Sequence, residues 1–126
     1  MSKAPGSSPE VRAHLPLNPK VFMVLLALAE EPTHGYEIKK KAEAQSAGAV
    51  RLDAGSLYRT LAKLEERGLV RETETRPEPE DDDSRRRYYE LTPLGAKVLS
   101  AEAARLRGMV KAVPSEERLS AATGTA

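Results

Sequence analysis

The sequence predicts a mainly α-helical fold with a small β-hairpin and a long helix towards the C-terminus. Segments that begin at helix-capping residues carry apolar side chains at three- and four-residue steps, the spacing of helices with one buried face. Two short alternating segments flank a loop rich in proline and acidic residues, which is typical of a hairpin. The length of 126 residues, 40% of them hydrophobic, suits a single small core.

The composition excludes several kinds of site. The chain has no cysteine, which excludes disulfides and thiolate metal sites and favours a reducing compartment. The longest apolar stretch, Val21 to Ala29, is too short to span a membrane, and the opening residues lack the apolar region of a signal peptide. We therefore expect a soluble, cytoplasmic protein with no membrane partner. The net charge of +1 says little about other partners, because nucleic-acid binding depends on where the cations lie.

The first part of the chain is predicted to be an arm followed by two helices. Residues 1–16 mix proline, glycine, serine and scattered charge, so we expect a flexible arm. Asn18, followed by proline, is a helix-start signal, and the apolar residues after it predict a buried helix that ends near Pro32. Thr33 is the predicted cap of a second helix, which runs to about Gln45 and carries on its exposed flank Lys39, Lys40 and Lys41.

A third helix is predicted between Asp53 and Gly68. Asp53 is a favourable cap, and Gly68 lies where a left-handed residue would end the helix. Leu57, Leu61 and Leu64 recur at helical spacing and are expected to face the core. A second stripe, offset from the leucines, is polar and cationic and suits a helix that reads a DNA groove; it consists of Ser56, Arg59, Thr60, Lys63 and Arg67.

The rest of the chain is predicted to be a hairpin and a long helix. Residues 69–75 and 86–91 are expected to pair as two strands around a long charged tip. Thr92 and the proline after it start a helix that reaches Val113, and residues 115–126 are expected to be a disordered tail. The helix has an apolar seam with coiled-coil spacing, formed by Ala96, Leu99, Ala103, Leu106, Val110 and Val113.

This order of elements is that of a winged helix-turn-helix, which we assign to residues 17–92, with a C-terminal dimerisation helix over 93–114. Five motifs lie along it: His34-Gly35-Tyr36-Glu37-Ile38, Gly55-Ser56-Leu57-Tyr58, Leu61 with Leu64-Glu65 and Gly68-Leu69, Arg86-Arg87-Tyr88-Tyr89, and Leu91-Thr92-Pro93-Leu94-Gly95. With them the sequence resembles the PadR family of bacterial transcriptional regulators, from about Pro19 to Val113. It is most similar to the short subgroup with a single C-terminal helix.

The resemblance implies a homodimer that binds near-palindromic double-stranded DNA, with the third helix in the major groove and the wing on the backbone or minor groove. It further implies a repressor that is nucleoid-associated when bound. The charge distribution agrees independently, because eight basic residues outnumber five acidic ones between Thr33 and Arg71. For any single stripe the alternative is an ordinary solvated helix face. The alternative function is a winged-helix protein-interaction module whose acidic wing is the recognition surface.

The residues predicted to contact bases in the DNA groove are those of the polar stripe on the third helix, because arginine can form two hydrogen bonds to guanine. The PadR pattern usually has proline where this chain has Arg59, which adds a cation and leaves the base contacts open. Tyr58 resembles the family position whose hydroxyl reaches a phosphate. The alternative is a half-buried ring packed on the second helix, and both can hold.

Other candidates are phosphate contacts. His34, Gly35 and Tyr36 lie at a helix N-terminus, where free N–H groups and the helix dipole favour an anion, and Lys39 and Lys40 follow on the exposed flank. For His34 a capping or packing role is favoured over a metal site, because only one other histidine exists. The wing contributes Arg85, Arg86 and Arg87 as further candidates for phosphate contact. The alternative is that these arginines pair with the acidic run 78–83. Tyr88 and Tyr89 are expected mainly in the core, one pointing inward and one outward.

The seam of the long helix has nowhere to be buried in so small a domain, so we predict a dimer. Val21, Phe22 and Leu25 are expected to complete that interface; the alternative is that the long helix packs wholly against the first helix. An apolar channel in the dimer, lined in part by Met109, would take a small apolar or aromatic effector. No cofactor site, metal cluster or nucleophile with a base can be assembled, so an enzyme is not predicted.

Overall fold

The computed structural model describes residues 8–77 and 86–124. Within these ranges the chain forms six helices and three strands. The helices are α1 (Pro9–Arg12), α2 (Pro19–Ala27), α3 (Gly35–Gln45), α4 (Ala54–Glu66), α5 (Pro93–Lys111) and α6 (Glu116–Thr123). The strands are β1 (Thr33–His34), β2 (Val70–Thr73) and β3 (Tyr88–Leu91), and they form an antiparallel sheet in the order β1-β3-β2. The predicted mainly helical winged-helix fold is confirmed.

The core lies where α2, α3, α4 and α5 meet one face of the sheet. The three leucines predicted to face it from α4 are fully buried, together with Ile38 of α3 and Val98 of α5. Asp53 caps α4 by accepting a hydrogen bond from the Ser56 N–H at 2.7 Å. Gly68 takes a left-handed φ of +76°, so the predicted start and stop of this helix are both observed.

The sheet has one strand more than predicted. Thr33 and His34 pair with Tyr89 and Tyr88 of β3, which makes β3 the central strand. The predicted Thr33 cap is therefore wrong by one residue: Thr33 is buried in the sheet, and His34 caps α3 through Nδ1, which accepts from the Glu37 N–H at 3.4 Å. The same short segment thus ends in the sheet and starts the helix.

The junction between α4 and α5 is fixed by the Leu91-Thr92-Pro93-Leu94-Gly95 segment. The Thr92 N–H donates to the Leu69 carbonyl at 3.1 Å, and the Thr92 hydroxyl donates to the Gly68 carbonyl at 2.5 Å. The Thr92 oxygen also caps α5 by accepting from the Gly95 N–H at 3.0 Å. A Cβ atom on Gly95 would overlap the Leu69 carbonyl oxygen, so the backbone of α5 lies directly on the end of α4.

The N-terminal arm is not flexible over its described part. Val11 of α1 is buried against the domain, and α1 packs on α5. The Leu17 N–H donates at 2.8 Å to the carboxylate of Glu102, which is only 1% exposed and also accepts two hydrogen bonds from Arg105. The expectation of a flexible arm failed because it rested on local composition, whereas the order comes from contacts with α5.

The C-terminal segment also differs from the expectation of a disordered tail. Ser115 caps α6, whose end is marked by Gly124 at a φ of +74°. No residue of α6 is buried.

The first long helix, α2, ends at Ala27, five residues before the predicted Pro32.

Candidate nucleic-acid interface

Helix α4 presents a cationic outer face. Of the polar stripe predicted there, Arg59, Lys63 and Arg67 are exposed, whereas Ser56 and Thr60 are half-buried. Because the three leucines hold the opposite side of α4 in the core, the three cations point away from the domain. The structure therefore keeps the stripe together, with its charged members outermost.

Tyr58 joins α4 to the start of α3. A Cβ atom on Gly35 would lie 2.7 Å from the Tyr58 hydroxyl oxygen and 3.1 Å from its ring carbon Cζ. Tyr58 is nevertheless 47% exposed, so its ring covers Gly35 while one edge stays at the surface. The sequence left open whether the Tyr58 ring packs on the helix that the structure labels α3. The structure shows that it does.

Arg59 lies back over the first turn of its own helix. Its Nη1 atom is 3.2 Å from the position that a Gly55 Cβ would take, and an Asp53 carboxylate oxygen is 3.5 Å from the same position. The pKa of Asp53 is held below its usual value, first by the hydrogen bond from the Ser56 N–H and further by the charges of Arg59 and Lys20. Gly55 thus leaves room for a guanidinium beside the capping carboxylate.

His34 links the start of α3 to the wing, the hairpin formed by β2 and β3. Its ring stacks on Tyr36 with centroids 6.5 Å apart and meets the Tyr88 ring edge-on at 5.3 Å. Its Nε2 lies 3.1 Å from Nη1 of Arg86. Partial burial and the Arg86 charge lower the pKa of His34, so the neutral ring is favoured. This geometry supports a capping and packing role.

The remaining α3 candidates lie on an open face. Tyr36 is largely exposed, and the Lys40 ammonium lies 5.5 Å from the centre of its ring. Lys40 also forms a 3.9 Å ion pair with Glu37, whereas Lys39 is simply exposed. Both lysines therefore stay at the surface next to the N-terminus of α3.

The wing carries two cross-strand ion pairs on opposite faces. Arg87 donates through Nε to Glu72 at 2.6 Å, and Arg71 donates through Nε to Glu90 at 2.7 Å. Sequence reasoning identified Arg87 but missed its partner, because the partner is set by the strand register, in which Glu72 faces Tyr89. Arg85 and the acidic run 78–83 lie outside the described residues.

The two tyrosines of β3 are both buried but serve different faces. Tyr89 belongs to the main core, as expected of an inward residue. Tyr88 points the other way and is covered by the His34 ring and by the Arg76 guanidinium, which lies 4.6 Å from the centre of the Tyr88 ring. Alternation holds, and the outward tyrosine is buried because side chains fold over it.

The seam of α5 is largely uncovered. Val98, Ala101 and Glu102 form the buried side of this helix. The seam residues Leu99, Ala103 and Leu106 are half-buried, Ala96 and Val113 are exposed, and Val110 is 69% exposed. The alternative that the long helix packs wholly against the first helix, α2, does not hold in the single chain, where the distal seam residues are exposed.

The residues of α2 predicted to join this interface behave differently from one another. Val21 and Phe22 are half-buried and partly accessible. Leu25 is 0% exposed and belongs to the core of its own chain, so it cannot line an interface.

A sequence model of the transcriptional regulator PadR-like family matches residues 24–101 of this chain. The chain belongs to the PadR-like family. Members of this family are transcriptional regulators and not enzymes, in agreement with the predicted regulatory class.

Three proteins with known sequences or structures illustrate what this chain is similar to. An uncharacterized 37.1 kDa protein in transposon TN4556 of Streptomyces fradiae is 43% identical over 104 residues, which cover 79% of this chain and 28% of that protein. The chain therefore spans under a third of this relative's length. A transcriptional regulator from Clostridium thermocellum is similar at 25% identity and a TM-score of 0.58, covering 83% of this chain and 91% of that one. RosR of H. salinarum is similar at 25% identity and a TM-score of 0.56, covering 87% and 91%.

A PadR family regulator from Clostridium difficile shares the fold, with a TM-score of 0.60 at 24% identity over 75% of this chain and 93% of that one. The PadR-like motifs have structural reasons in this chain: Gly35 accommodates Tyr58, and Gly95 accommodates Leu69.

Within residues 8–77 and 86–124, none of the helices combines the length and the apolar composition of a membrane-spanning segment. Among residues 8–77 and 86–124, no three or more metal-ligating side chains lie close enough together to hold a metal ion.

Proposed function

We propose that this PadR-like regulator is a homodimeric repressor that binds a near-palindromic operator in double-stranded DNA. The recognition helix, α4, enters the major groove of each half-site, and the wing contacts the adjacent backbone or minor groove. The observation that carries this proposal is the outer face of α4, where Arg59, Lys63 and Arg67 are exposed while the leucines opposite are buried. Because the leucines hold α4 in the core, its cations can enter a DNA groove without a rearrangement of the domain.

The residues have distinct roles in this proposal. Arg59 and Lys63 reach base edges or phosphates, and the half-buried Ser56 and Thr60 contact the groove only at close approach. Tyr58 presents its exposed edge to a phosphate. Contacts to the DNA backbone come from the end of α4, from the start and flank of α3, and from the wing, through Arg67, His34, Gly35, Tyr36, Lys39, Lys40, Arg85, Arg86 and Arg87.

Dimerisation follows from the uncovered seam of α5. Val110 and Val113 are mostly exposed at the distal end of the helix, and the partly accessible Val21 and Phe22 lie on the neighbouring α2. A second copy of the chain would cover this surface. It would also set the two recognition helices about one DNA turn apart, which a palindromic operator requires.

Release by a small molecule is the finer part of the proposal. A small apolar or aromatic effector would bind between the two copies beside the seam, near Met109, which is exposed in the single chain. By changing the spacing of the two recognition helices it would lower operator affinity. The protein would act in the cytoplasm, on the nucleoid.

The test is fluorescence anisotropy with duplexes tiled across the promoter of its own gene, at several salt concentrations and with nonspecific competitor. We expect one near-palindromic tile to bind tightly, and Arg59→Glu with Lys63→Glu to abolish that binding. The matched control, Lys97→Glu with Lys111→Glu, changes two exposed lysines on α5 and should leave binding unchanged. Equal, weak binding of all tiles would overturn specific autoregulation, and insensitivity to the α4 reversal would overturn the assigned interface.

A further inference from the structure

We propose that Glu72 limits the contribution of the wing to DNA affinity by occupying Arg87 as an internal substitute for a DNA phosphate. This inference rests on the proposed function, because it concerns how the wing meets DNA. It assigns a role to a carboxylate that lies beside the interface and is not itself a DNA contact.

Arg87 and Glu72 lie on the face of the wing that is turned towards α4. In the register of the hairpin Glu72 faces Tyr89, whose side chain belongs to the core. Arg87 precedes Tyr89 by two residues and so projects from the same face. Helix α4 packs against β2, and Val70, which shares the strand face of Glu72, lies in the same core as the α4 leucines. Arg87 is therefore a wing cation on the side of the recognition helix.

The bond between the two side chains is short and open to solvent. The Arg87 Nε donates to Glu72 Oε1 at 2.6 Å, with the two side chains 60% and 44% exposed. Arginine has five N–H donors in a planar fork that matches a carboxylate and a phosphate equally well. A phosphate that approaches Arg87 must therefore displace Glu72 or approach its negative charge.

An exposed ion pair stabilises the fold very little, so its main effect lies in what it does to binding. Affinity for DNA comes largely from counterions released when a cation meets a phosphate. A guanidinium already neutralised by a carboxylate contributes little to that release. The wing of the native protein thus adds less to nonspecific affinity than its arginine content indicates.

The opposite face of the same hairpin supplies a matched comparison. Arg71 and Glu90 pair across the strands at 2.7 Å, again through Nε, and the Arg71 side chain is 58% exposed. Arg71 faces Glu90 directly, and this pair projects with the outward Tyr88 and not with the core-facing Tyr89. The two pairs share their chemistry but differ in the face they occupy, and Arg71 faces Glu90 directly whereas Arg87 reaches Glu72 diagonally.

The experiment is a double-mutant cycle on the full chain. Glu72→Gln, Arg87→Gln and the double variant are compared with the native protein, and Glu90→Gln is the control. Each is titrated against the tightest promoter tile and against a mixed-sequence duplex of roughly two helical turns. Salt dependence is measured between 50 and 200 mM, where each added phosphate contact costs a factor of about 3.5 in affinity.

We expect Glu72→Gln to bind both duplexes more tightly and to steepen the salt dependence by about one phosphate contact per protomer, a slope change of about 0.9 per protomer or about 1.8 for the dimer. Arg87→Gln should lower affinity by less than Glu72→Gln raises it, and Glu72→Gln should have no effect once Arg87 is replaced. Glu90→Gln should resemble the native protein. Glu72→Thr keeps a strand-favouring residue and should repeat the gain if the glutamine variant folds poorly.

Three results would overturn the inference: weaker binding by Glu72→Gln, an equal gain from Glu90→Gln, or a gain that persists without Arg87. The first would mean that Glu72 positions Arg87 for DNA, and the others that any lost negative charge has the same effect. Failure of the proposed function is distinguishable. In that case the native protein would bind every promoter tile only as well as the mixed-sequence duplex, on which the cycle can still be measured.

Discussion

The Tyr58 hydroxyl of the recognition helix rests on Gly35, so close that a methyl group on Gly35 would come within 2.7 Å of the phenol oxygen. Two motifs that are separate in the sequence are therefore one contact in the fold. The contact sets how near α4 lies to the start of α3, and so fixes the position of the exposed α4 cations relative to the N-terminus of α3.

Gly35→Ala should weaken DNA binding more than it weakens the fold. The added methyl group must push the Tyr58 ring, which is a side chain whose exposed edge can move outward. The free energy of unfolding, measured in urea, should change by no more than about 1 kcal/mol. In a Tyr58→Phe background the nearest atom is gone, so the loss of affinity caused by Gly35→Ala should shrink. An undiminished loss would show that the contact is not what positions the helices.

Gly95→Ala should destabilise the fold strongly. Here the obstacle is the Leu69 carbonyl, a backbone atom that cannot rotate away, so we expect a loss of about 3 kcal/mol in urea denaturation. Gly108 in the same helix is the control, because nothing lies within 4 Å of a Cβ built there. Gly108→Ala should be neutral or stabilising by up to about 1 kcal/mol. Equal effects at both glycines would contradict the close approach of α5 to Leu69.

Glu102 should make the fold acid-sensitive. The hydrogen bonds from Arg105, and then the one from the Leu17 N–H, hold the pKa of Glu102 below its ordinary value of 4.5. Because the folded pKa is the lower one, this stabilisation is complete above pH 4.5 and is lost as the pH falls through the folded pKa. Glu102→Gln should cost about 1–3 kcal/mol at pH 7 and flatten the stability profile below pH 4.5. A profile as steep as that of the native protein would place the acid-sensitive group elsewhere.

Val110→Glu should convert the proposed dimer to a monomer. Val110 is 69% exposed in the single chain, so the new charge costs the monomer little but would be buried between two copies. Sedimentation velocity should show about half the native mass, and operator affinity should fall because one half-site binds alone. Ala104→Glu adds the same charge at an exposed position outside the seam and should sediment as the native protein does.

Local signals were sufficient for the recognition helix. Asp53, the three leucines and Gly68 each act within a few residues of where they stand, and all behave as predicted. The predicted polar stripe also stays on one side of α4, although burial divides it into exposed cations and half-buried Ser56 and Thr60.

Features that depend on distant parts of the chain were not predictable. Val11 lies in an arm of mixed composition, and its burial depends on the packing of α1 on the distant α5. Glu102 resembles a surface residue of α5 until the Leu17 N–H is brought to it from 85 positions away. The pairing of Arg87 with Glu72 required the register of the hairpin, which the sequence did not define.

His34 ends β1 and caps α3 with no residue in between. The wing and the helix-turn-helix are therefore coupled without a hinge at this point, and a swing of the hairpin would pull on the first turn of α3. Because the protein has little freedom to adjust at this point, the DNA duplex must adapt its shape to the protein. Operators whose central base steps bend or twist easily should then be preferred over stiff ones, even at positions that no side chain touches.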